Sequence, residues 1–280
     1  MIPQEFDYAA PSTLDEALGL LANENAKALA GGMSLVPMMK LRFAVPEQIV
    51  DLGRLPGLNT IREEAGQIRI GAMATHYQIE SSALLRGKCP LLPEVAHLIG
   101  DTQVRNMGTI GGSIAHADPA ADYPAALCAL EAKLKLVKAG SERTIPVEEF
   151  FIDTFTTALE PGELIQEIIV PVEQSGTGTS YQKVSHPASG FAIVGIAVRV
   201  HKSGSQINWA RVGVTGLSNK GYRATSVETA ITFGSPDEAA ATVADGVDAN
   251  SDLYAAPDYR SHLARVYTAR AIKQALSRTA

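Results

Sequence analysis

Two glycine pairs, each followed within two residues by a serine, constrain the fold of this chain more than any other sequence feature. The first lies in LAGGMSL, residues 29–35, and the second in TIGGSI, residues 109–114. Glycine adopts left-handed backbone conformations at little cost and lets a bound group approach the main chain closely. Backbone N–H groups presented in this way, with a hydroxyl beside them, suit a diphosphate. The sequence therefore predicts two loops that bind a phosphorylated ligand together.

Neither loop carries a widely shared nucleotide-binding signature. A Walker A loop ends in Gly-Lys-Ser or Gly-Lys-Thr, and the Rossmann fingerprint is GxGxxG; both patterns differ from the two loops here. We expect each loop to follow the end of a strand, as the first does after KALA. A glycine pair is also typical of an ordinary turn, so a plain turn is the alternative for each loop.

Two aspartates, Asp118 and Asp122, follow the second glycine pair in HADPAADYP. A carboxylate repels a phosphate, so we expect these side chains to accept hydrogen bonds from ribose or ribityl hydroxyls. Asp122 also precedes Pro124 and a helical run, where a helix N-cap is the alternative role. His116 near Asp118 has no third metal ligand at a useful spacing. We therefore predict no metal site and nominate no catalytic residue.

The order of predicted elements indicates two domains. The first combines an amphipathic helix from Thr13 to Leu21, a hairpin in NTIREEAGQIRIGA and a strand in ELIQEIIVP. Gly, Ser and Thr crowd between Val172 and Ser180, which is typical of a linker. We therefore predict domains at residues 1–175 and 176–280. In the second domain strand patterns precede two helical patterns, which indicates the α+β class.

Composition narrows the classes of partner. The net charge of −6 without basic clusters argues against nucleic acid and anionic membranes. No stretch approaches the about 18 apolar residues of a membrane span, and the first residues lack the features of a secretory signal, so we expect a cytoplasmic protein. Cys89 and Cys128 are the two cysteines, whereas an iron–sulfur cluster needs about four thiolates.

Five motifs spread along the chain point to one family. They are AGGMSLVPMMKLR (30–42), IVDLGRLPGL (49–58), IRIGAMATH (68–76), QVRNMGTIGGSIAHADPAADYP (103–124) and PGELIQEIIVP (161–171). In these motifs the chain resembles the FAD-binding medium subunits of molybdenum hydroxylases, such as aerobic carbon monoxide dehydrogenase, and the flavin domain of xanthine dehydrogenase. The resemblance implies a two-lobed FAD-binding domain of the vanillyl-alcohol-oxidase (PCMH) type. A small α+β domain with a three-stranded antiparallel sheet and helices is implied to follow it.

The resemblance also implies which residues contact FAD. In the two glycine loops they are Ala30, Gly31, Gly32, Met33, Ser34 and Leu35, then Thr109, Gly111, Gly112 and Ser113. Elsewhere they are Asp122, Ile165, Lys183 and Phe191. Many relatives carry histidine in place of Met33, and a tyrosine is common at aromatic positions like Phe191. The alternatives are a solvated surface lysine at Lys183 and a core phenylalanine at Phe191.

The implied function is that of an oxidoreductase subunit that binds FAD and transfers electrons within a molybdopterin-containing complex. The implied partners are a large molybdopterin-binding subunit and a small subunit with 2Fe–2S clusters, assembled as a dimer of heterotrimers. Electrons would pass from the clusters through FAD to an external acceptor. A stand-alone FAD-dependent reductase resembling enolpyruvyl-glucosamine reductases and a flavin-free scaffold subunit are the alternatives. The substrate stays open among carbon monoxide, an aldehyde and a purine or other N-heterocycle.

Overall fold

The strands of the chain form four separate sheets in the computed structural model, which describes residues 1–279. In chain order the strands are β1 (Asp7–Ala9), β2 (Ala26–Leu29), β3 (Gln48–Asp51), β4 (Ile61–Glu64), β5 (Gln67–Gly71), β6 (Lys133–Lys138), β7 (Ser141–Pro146), β8 (Phe151–Asp153), β9 (Thr156–Thr157), β10 (Leu164–Pro171), β11 (Thr177–Ser185), β12 (Ala192–Ser203), β13 (Gln206–Thr215) and β14 (Tyr222–Arg223). The parallel sheet β1-β3-β2 is followed by the antiparallel sheets β4-β5-β10-β6-β7 and β11-β12-β13-β14, and β8 pairs with β9.

Most helices are short and lie between the strands of the first two sheets or after the third. They are α1 (Leu14–Leu21), α2 (Leu35–Leu41), α3 (His76–Ser81), α4 (Ala83–Lys88), α5 (Leu91–His97), α6 (Thr102–Met107), α7 (Ile110–His116), α8 (Tyr123–Ala129), α9 (Val147–Phe150), α10 (Thr225–Ala230), α11 (Pro236–Ala240) and α12 (Pro257–Ser277). A 3-10 turn covers Leu52–Arg54. No helix within residues 1–279 has both the length and the apolar character that crossing a membrane requires.

The predicted first helix and hairpin are confirmed, and local chemistry explains both. The Thr13 hydroxyl accepts a hydrogen bond from the Glu16 N–H and so caps α1. In the hairpin β4–β5, Ala65 and Gly66 both have positive φ angles, as a tight turn between antiparallel strands requires. The alternating pattern places the Ile68 side chain in a buried core, which also contains most of α5 and α8.

Helix α8 lies between this core and the sheet β11-β12-β13-β14. All of its residues are buried, so it has no face toward solvent. Gly213 in β13 allows the sheet to approach closely, because a Cβ there would lie 1.9 Å from the carbonyl oxygen of Ala125. The two predicted domains therefore share a packed boundary along one helix.

The predicted three antiparallel strands of the second domain are β11, β12 and β13, and the two-residue strand β14 extends their sheet at one edge. The predicted linker is shorter than expected, because only residues 172–176 separate β10 from β11. Its Thr- and Ser-rich second half is the start of β11, where Ser180 donates a hydrogen bond to Gln274 in α12. Glu173 is held by a bidentate ion pair with Arg199.

Candidate functional site

A cavity of about 930 Å³ opens between the two glycine loops and extends to the hairpin loop between β11 and β12. Most of the residues predicted to contact a ligand line it: Ala30, Gly31, Gly32, Met33, Ser34, Leu35, Thr109, Gly111, Gly112, Ser113, Asp122, Ile165 and Phe191. Lys183, the remaining predicted residue, lies behind Asp122. The structure thus brings together residues that are up to 161 positions apart in the sequence.

The first glycine loop presents free backbone donors. Within residues 1–279, the N–H groups of Gly32, Met33 and Ser34 donate to no backbone acceptor, and Ser34 begins α2 without a side-chain cap. Gly32 has φ +71°, which favours glycine. Gly31 allows the first loop to contact the residues just before the second, since a Cβ there would lie 2.0 Å from the carbonyl oxygen of Met107. This loop has the free N–H groups that an anionic ligand needs.

The second glycine loop uses its N–H groups within the protein. Gly111 donates to the Ala72 carbonyl at 2.8 Å, and Gly112 donates to the Thr109 hydroxyl at 3.1 Å. The loop follows α6, so the prediction that both loops end strands is wrong for this one. A Cβ on Gly111 would lie 2.5 Å from the Ala72 Cβ. Gly111 is therefore needed for close packing of α7, while Ser113 and the start of α7 face the cavity.

A buried ion pair joins the two domains behind the cavity wall. The Lys183 ammonium lies 2.9 and 3.0 Å from the two Asp122 oxygens, and the Tyr181 hydroxyl donates to the same carboxylate at 2.6 Å. The side chains of Asp122 and Lys183 are 4% and 2% exposed, and Lys183 also donates to the Leu98 carbonyl. Burial raises the pKa of Asp122, while Lys183 and Tyr181 oppose that rise.

This arrangement rules out two of the alternative roles, one for Asp122 and one for Lys183. Asp122 makes no side-chain cap to α8, so the helix-cap alternative is wrong. Lys183 is buried, so the solvated-lysine alternative is wrong as well. The Asp122 carboxylate has oxygen lone pairs that the hydrogen bonds from Lys183 and Tyr181 leave free. Because Asp122 also lines the cavity, these lone pairs can accept a hydrogen bond from a ligand.

The segment 118–122 is attached to the second domain by its backbone. The Ala192 N–H donates to the Ala120 carbonyl at 3.1 Å, and the Gly216 N–H donates to the Pro119 carbonyl at 2.8 Å. The Asp118 carboxylate accepts a hydrogen bond from the Ala120 N–H at 2.8 Å, which stabilises the turn. The position of both aspartates therefore depends on contacts with the second domain.

Three further predicted residues lie at different depths in the cavity wall. Ile165 is buried at an irregularity in the pairing of β10 with β6. Met33 is 41% exposed and Phe191 is 44% exposed. Phe191 is thus no core residue, and the alternative stated for it is wrong.

Sequence reasoning missed Lys27, which lies in β2 four residues before the first glycine pair. Among the residues that line the cavity it is the one lysine or arginine, and it is exposed. The sequence does contain a signal for this residue. A lysine in the strand that leads into a glycine loop indicates a phosphate contact, because its positive charge complements a bound phosphate.

His76 is a further lining residue that was not predicted to contact a ligand. It begins α3, is 4% exposed, and its Nδ1 lies 3.2 Å from the Tyr123 hydroxyl. Burial, and secondarily the positive charge of Arg105, lowers the pKa of His76 from 6.5 to about 4. His76 is therefore neutral at physiological pH and contributes an uncharged wall.

We expect His76 to make the protein less stable in mild acid. Its pKa is lower in the folded chain than in the unfolded chain, so the unfolded state binds more protons and stability declines as pH falls from 6.5 toward 4. Between pH 7 and about pH 4.5 this group removes about 2 kcal/mol of unfolding free energy. Denaturant unfolding of the wild type and of His76→Gln at both pH values measures it. An equal loss of unfolding free energy in the wild type and in His76→Gln would show that His76 does not cause the acid sensitivity.

Comparisons with known proteins agree along the full length of the chain. The FAD binding domain in molybdopterin dehydrogenase matches residues 4–173, and the CO dehydrogenase flavoprotein C-terminal domain matches residues 179–275. The chain is 40% identical to the carbon monoxide dehydrogenase medium chain of Hydrogenophaga pseudoflava, with 100% of both chains covered. It is 37% identical to the glyceraldehyde dehydrogenase medium chain of Sulfolobus acidocaldarius, with 98% of this chain and 99% of that one covered.

A solved structure is similar to this chain over the same full length. Carbon monoxide dehydrogenase from Hydrogenophaga pseudoflava, in a form that lacks the Mo-pyranopterin moiety of its molybdenum cofactor, contains a chain that matches this one with a TM-score of 0.97. The match covers 100% of both chains at 40% sequence identity. The arrangement of both domains is therefore shared.

Proposed function

Since this chain belongs to the family of FAD-binding subunits of molybdopterin dehydrogenases, we propose that it is the flavin subunit that transfers electrons in a molybdenum hydroxylase complex. The observation that carries the proposal is the cavity whose wall combines free backbone donors of the first glycine loop with Asp122 and a loop of the second domain. The protein is an oxidoreductase subunit, and FAD is its cofactor.

The cavity has properties that fit FAD. Its volume of about 930 Å³ lies within the roughly 300–1,000 Å³ of typical small-molecule sites. The free N–H groups of Gly32, Met33 and Ser34 suit the diphosphate, and Lys27 offers a compensating positive charge. At the other end Phe191 offers an aromatic face for a flat ring.

Each group in the wall has a distinct task in this proposal. The first glycine loop and Lys27 would hold the diphosphate, and Asp122 would accept hydrogen bonds from sugar hydroxyls. When bound, FAD supplies the ability to accept electrons singly and to release them in pairs. The Lys183 ammonium balances the charge of Asp122, so this pair adds no net charge to the cavity wall.

The chain needs partners for the rest of the reaction. Both of its cysteines are buried and unpaired, so it offers no ligand set for an iron–sulfur cluster. We propose a large molybdopterin-binding subunit and a small 2Fe–2S subunit as partners, in a cytoplasmic dimer of heterotrimers. The names of the similar chains, which are medium chains of carbon monoxide and glyceraldehyde dehydrogenases, support this. The substrate is then selected by the large subunit.

The test is a titration with FAD, followed by the visible absorbance of the flavin, of the chain alone and of the chain purified with its partners. We expect one FAD per chain. Lys27→Met is expected to weaken FAD binding about tenfold, the effect of losing one charge-assisted hydrogen bond. Lys40→Met is the matched control, because Lys40 is an exposed lysine of α2 that does not line the cavity. Absence of flavin from both samples would favour the scaffold alternative.

A further inference from the structure

The hairpin loop between β11 and β12, residues 186–191, is organised around one histidine nitrogen. The Nδ1 atom of His186 accepts hydrogen bonds from the N–H groups of Ala188, at 3.2 Å, and of Ser189, at 3.1 Å. The Ser189 hydroxyl lies 3.1 Å from the same nitrogen. Backbone bonds between His186 and Phe191, at 2.8 Å, and between Gly190 and His186, at 2.9 Å, close the loop.

These bonds show which ring nitrogen of His186 is the acceptor. A nitrogen that accepts from backbone N–H groups carries no proton, so the neutral ring holds its proton on Nε2. Nε2 is itself buried and has no hydrogen-bond partner within residues 1–279. His186 therefore acts on the loop through its Nδ1 acceptor, in the manner of the aspartate or asparagine that commonly closes such turns.

A second segment supports the ring from outside the loop. The Tyr254 ring packs edge-on against His186, with ring centroids 4.1 Å apart. Tyr254 lies in a turn closed by Asp252, which accepts hydrogen bonds from the N–H groups of Tyr254 and Ala255. The buried Arg260 of α12 donates to Asp252 at 2.5 Å and so anchors this turn to the domain.

The loop carries the second domain's contribution to the cavity. Ser189, Gly190 and Phe191 line it. Gly190 has φ +73°, and a Cβ there would lie 3.7 Å from the Cα of Gly100, so the loop reaches across to the first domain. Phe191 stays 44% exposed although every backbone N–H group of the loop donates a hydrogen bond. The hydrogen bonds fix the backbone on which this exposed ring is mounted.

We propose that His186 is a positioning residue that holds residues 186–191 closed, so that Phe191 covers the flavin and limits the access of small solutes to it. The inference rests on the proposed function, because it needs FAD in the cavity. His186 does not line the cavity and acts through the loop. Solutes reach the flavin when the loop opens, and the Nδ1 hydrogen bonds oppose opening.

The test compares variants of the full chain loaded with FAD. The readouts are quenching of flavin fluorescence by iodide and the rate at which ferricyanide reoxidises the photoreduced flavin. His186→Leu removes the acceptor and is expected to raise both about fivefold, the factor by which one net hydrogen bond shifts a local equilibrium. His186→Asn is the matched control, since its Oδ1 stands where Nδ1 stands, and is expected to behave like the wild type.

Further variants separate the possible outcomes. Phe191→Ala is expected to raise access at least as much as His186→Leu, and adding His186→Leu to it to raise access no further, since the cover is then already absent. Ser189→Ala, which removes only a hydroxyl, replaces His186→Leu if that variant does not fold. Equal access in His186→Leu and the wild type, or a His186→Asn variant as open as His186→Leu, overturns the proposal. A wild type that binds no FAD overturns the proposed function instead.

Discussion

Replacing Asp122 with alanine is expected to lower the free energy of unfolding by about 3–5 kcal/mol, the range for breaking a buried ion pair from one side. The Lys183 ammonium would remain 2% exposed with the Leu98 carbonyl as its remaining partner. The Tyr181 hydroxyl would lose its acceptor in the same interior. FAD binding is expected to be lost in addition, because Asp122 also reaches the cavity surface.

Urea denaturation of the flavin-free protein and FAD titration measure the two effects separately. In the double variant Asp122→Leu with Lys183→Met we expect most of the lost stability to return, because no unpaired charge is left inside and only the Tyr181 hydroxyl lacks its acceptor, whereas FAD binding stays lost. Asp118→Ala is the matched control for the loss of stability. Asp118 also lines the cavity, but its carboxylate accepts a hydrogen bond from the nearby Ala120 N–H. A single variant as stable as the wild type would show that the pair does not hold the domains.

Gly111→Ala is expected to destabilise the flavin-free protein by about 3 kcal/mol, at the upper end for overpacking a closed site. The added Cβ would lie 2.5 Å from the Ala72 Cβ and 2.7 Å from the Ala72 carbonyl oxygen, and backbone cannot yield as a side-chain end can. Helix α7 would have to move, and Thr109 and Ser113 would move with it. FAD affinity is therefore expected to fall together with stability.

Gly87→Ala is the matched control for this change. Gly87 is also helical, in α4, and a Cβ there would meet nothing within 4 Å. Alanine is expected to stabilise that helix by up to about 1 kcal/mol. Thermal or denaturant unfolding of both variants without FAD checks the contrast. A Gly111→Ala protein of wild-type stability that has lost FAD would instead give this glycine a direct role at the ligand.

Much of the fold could be predicted from local patterns. The cap at Thr13 and the alternation around Ile68 and Ile70 depend on neighbours in sequence, and both predictions are confirmed. The first glycine loop follows β2 as predicted, because the strand and the turn residues are adjacent.

The second glycine loop shows where sequence reasoning ends. Its residues match the first loop in kind, yet the N–H groups of Ile110 and Gly111 donate to the carbonyls of Ala74 and Ala72. Those carbonyls belong to a segment almost forty residues earlier, so no local pattern announces the pairing. The same holds for Asp122 and Lys183, which are 61 positions apart. The sequence indicated both as site residues, but their mutual neutralisation depends on how the domains pack.

The attachment of residues 118–122 to the second domain links cofactor affinity to domain association. Coupling between two binding events is reciprocal. When bound FAD strengthens the contact between the domains, any other interaction that strengthens this contact also increases the affinity for FAD. A partner subunit that contacts both domains would therefore increase the affinity for flavin without touching it. Conversely, cleavage between β10 and β11 is expected to weaken cofactor binding even though every residue of its pocket is intact.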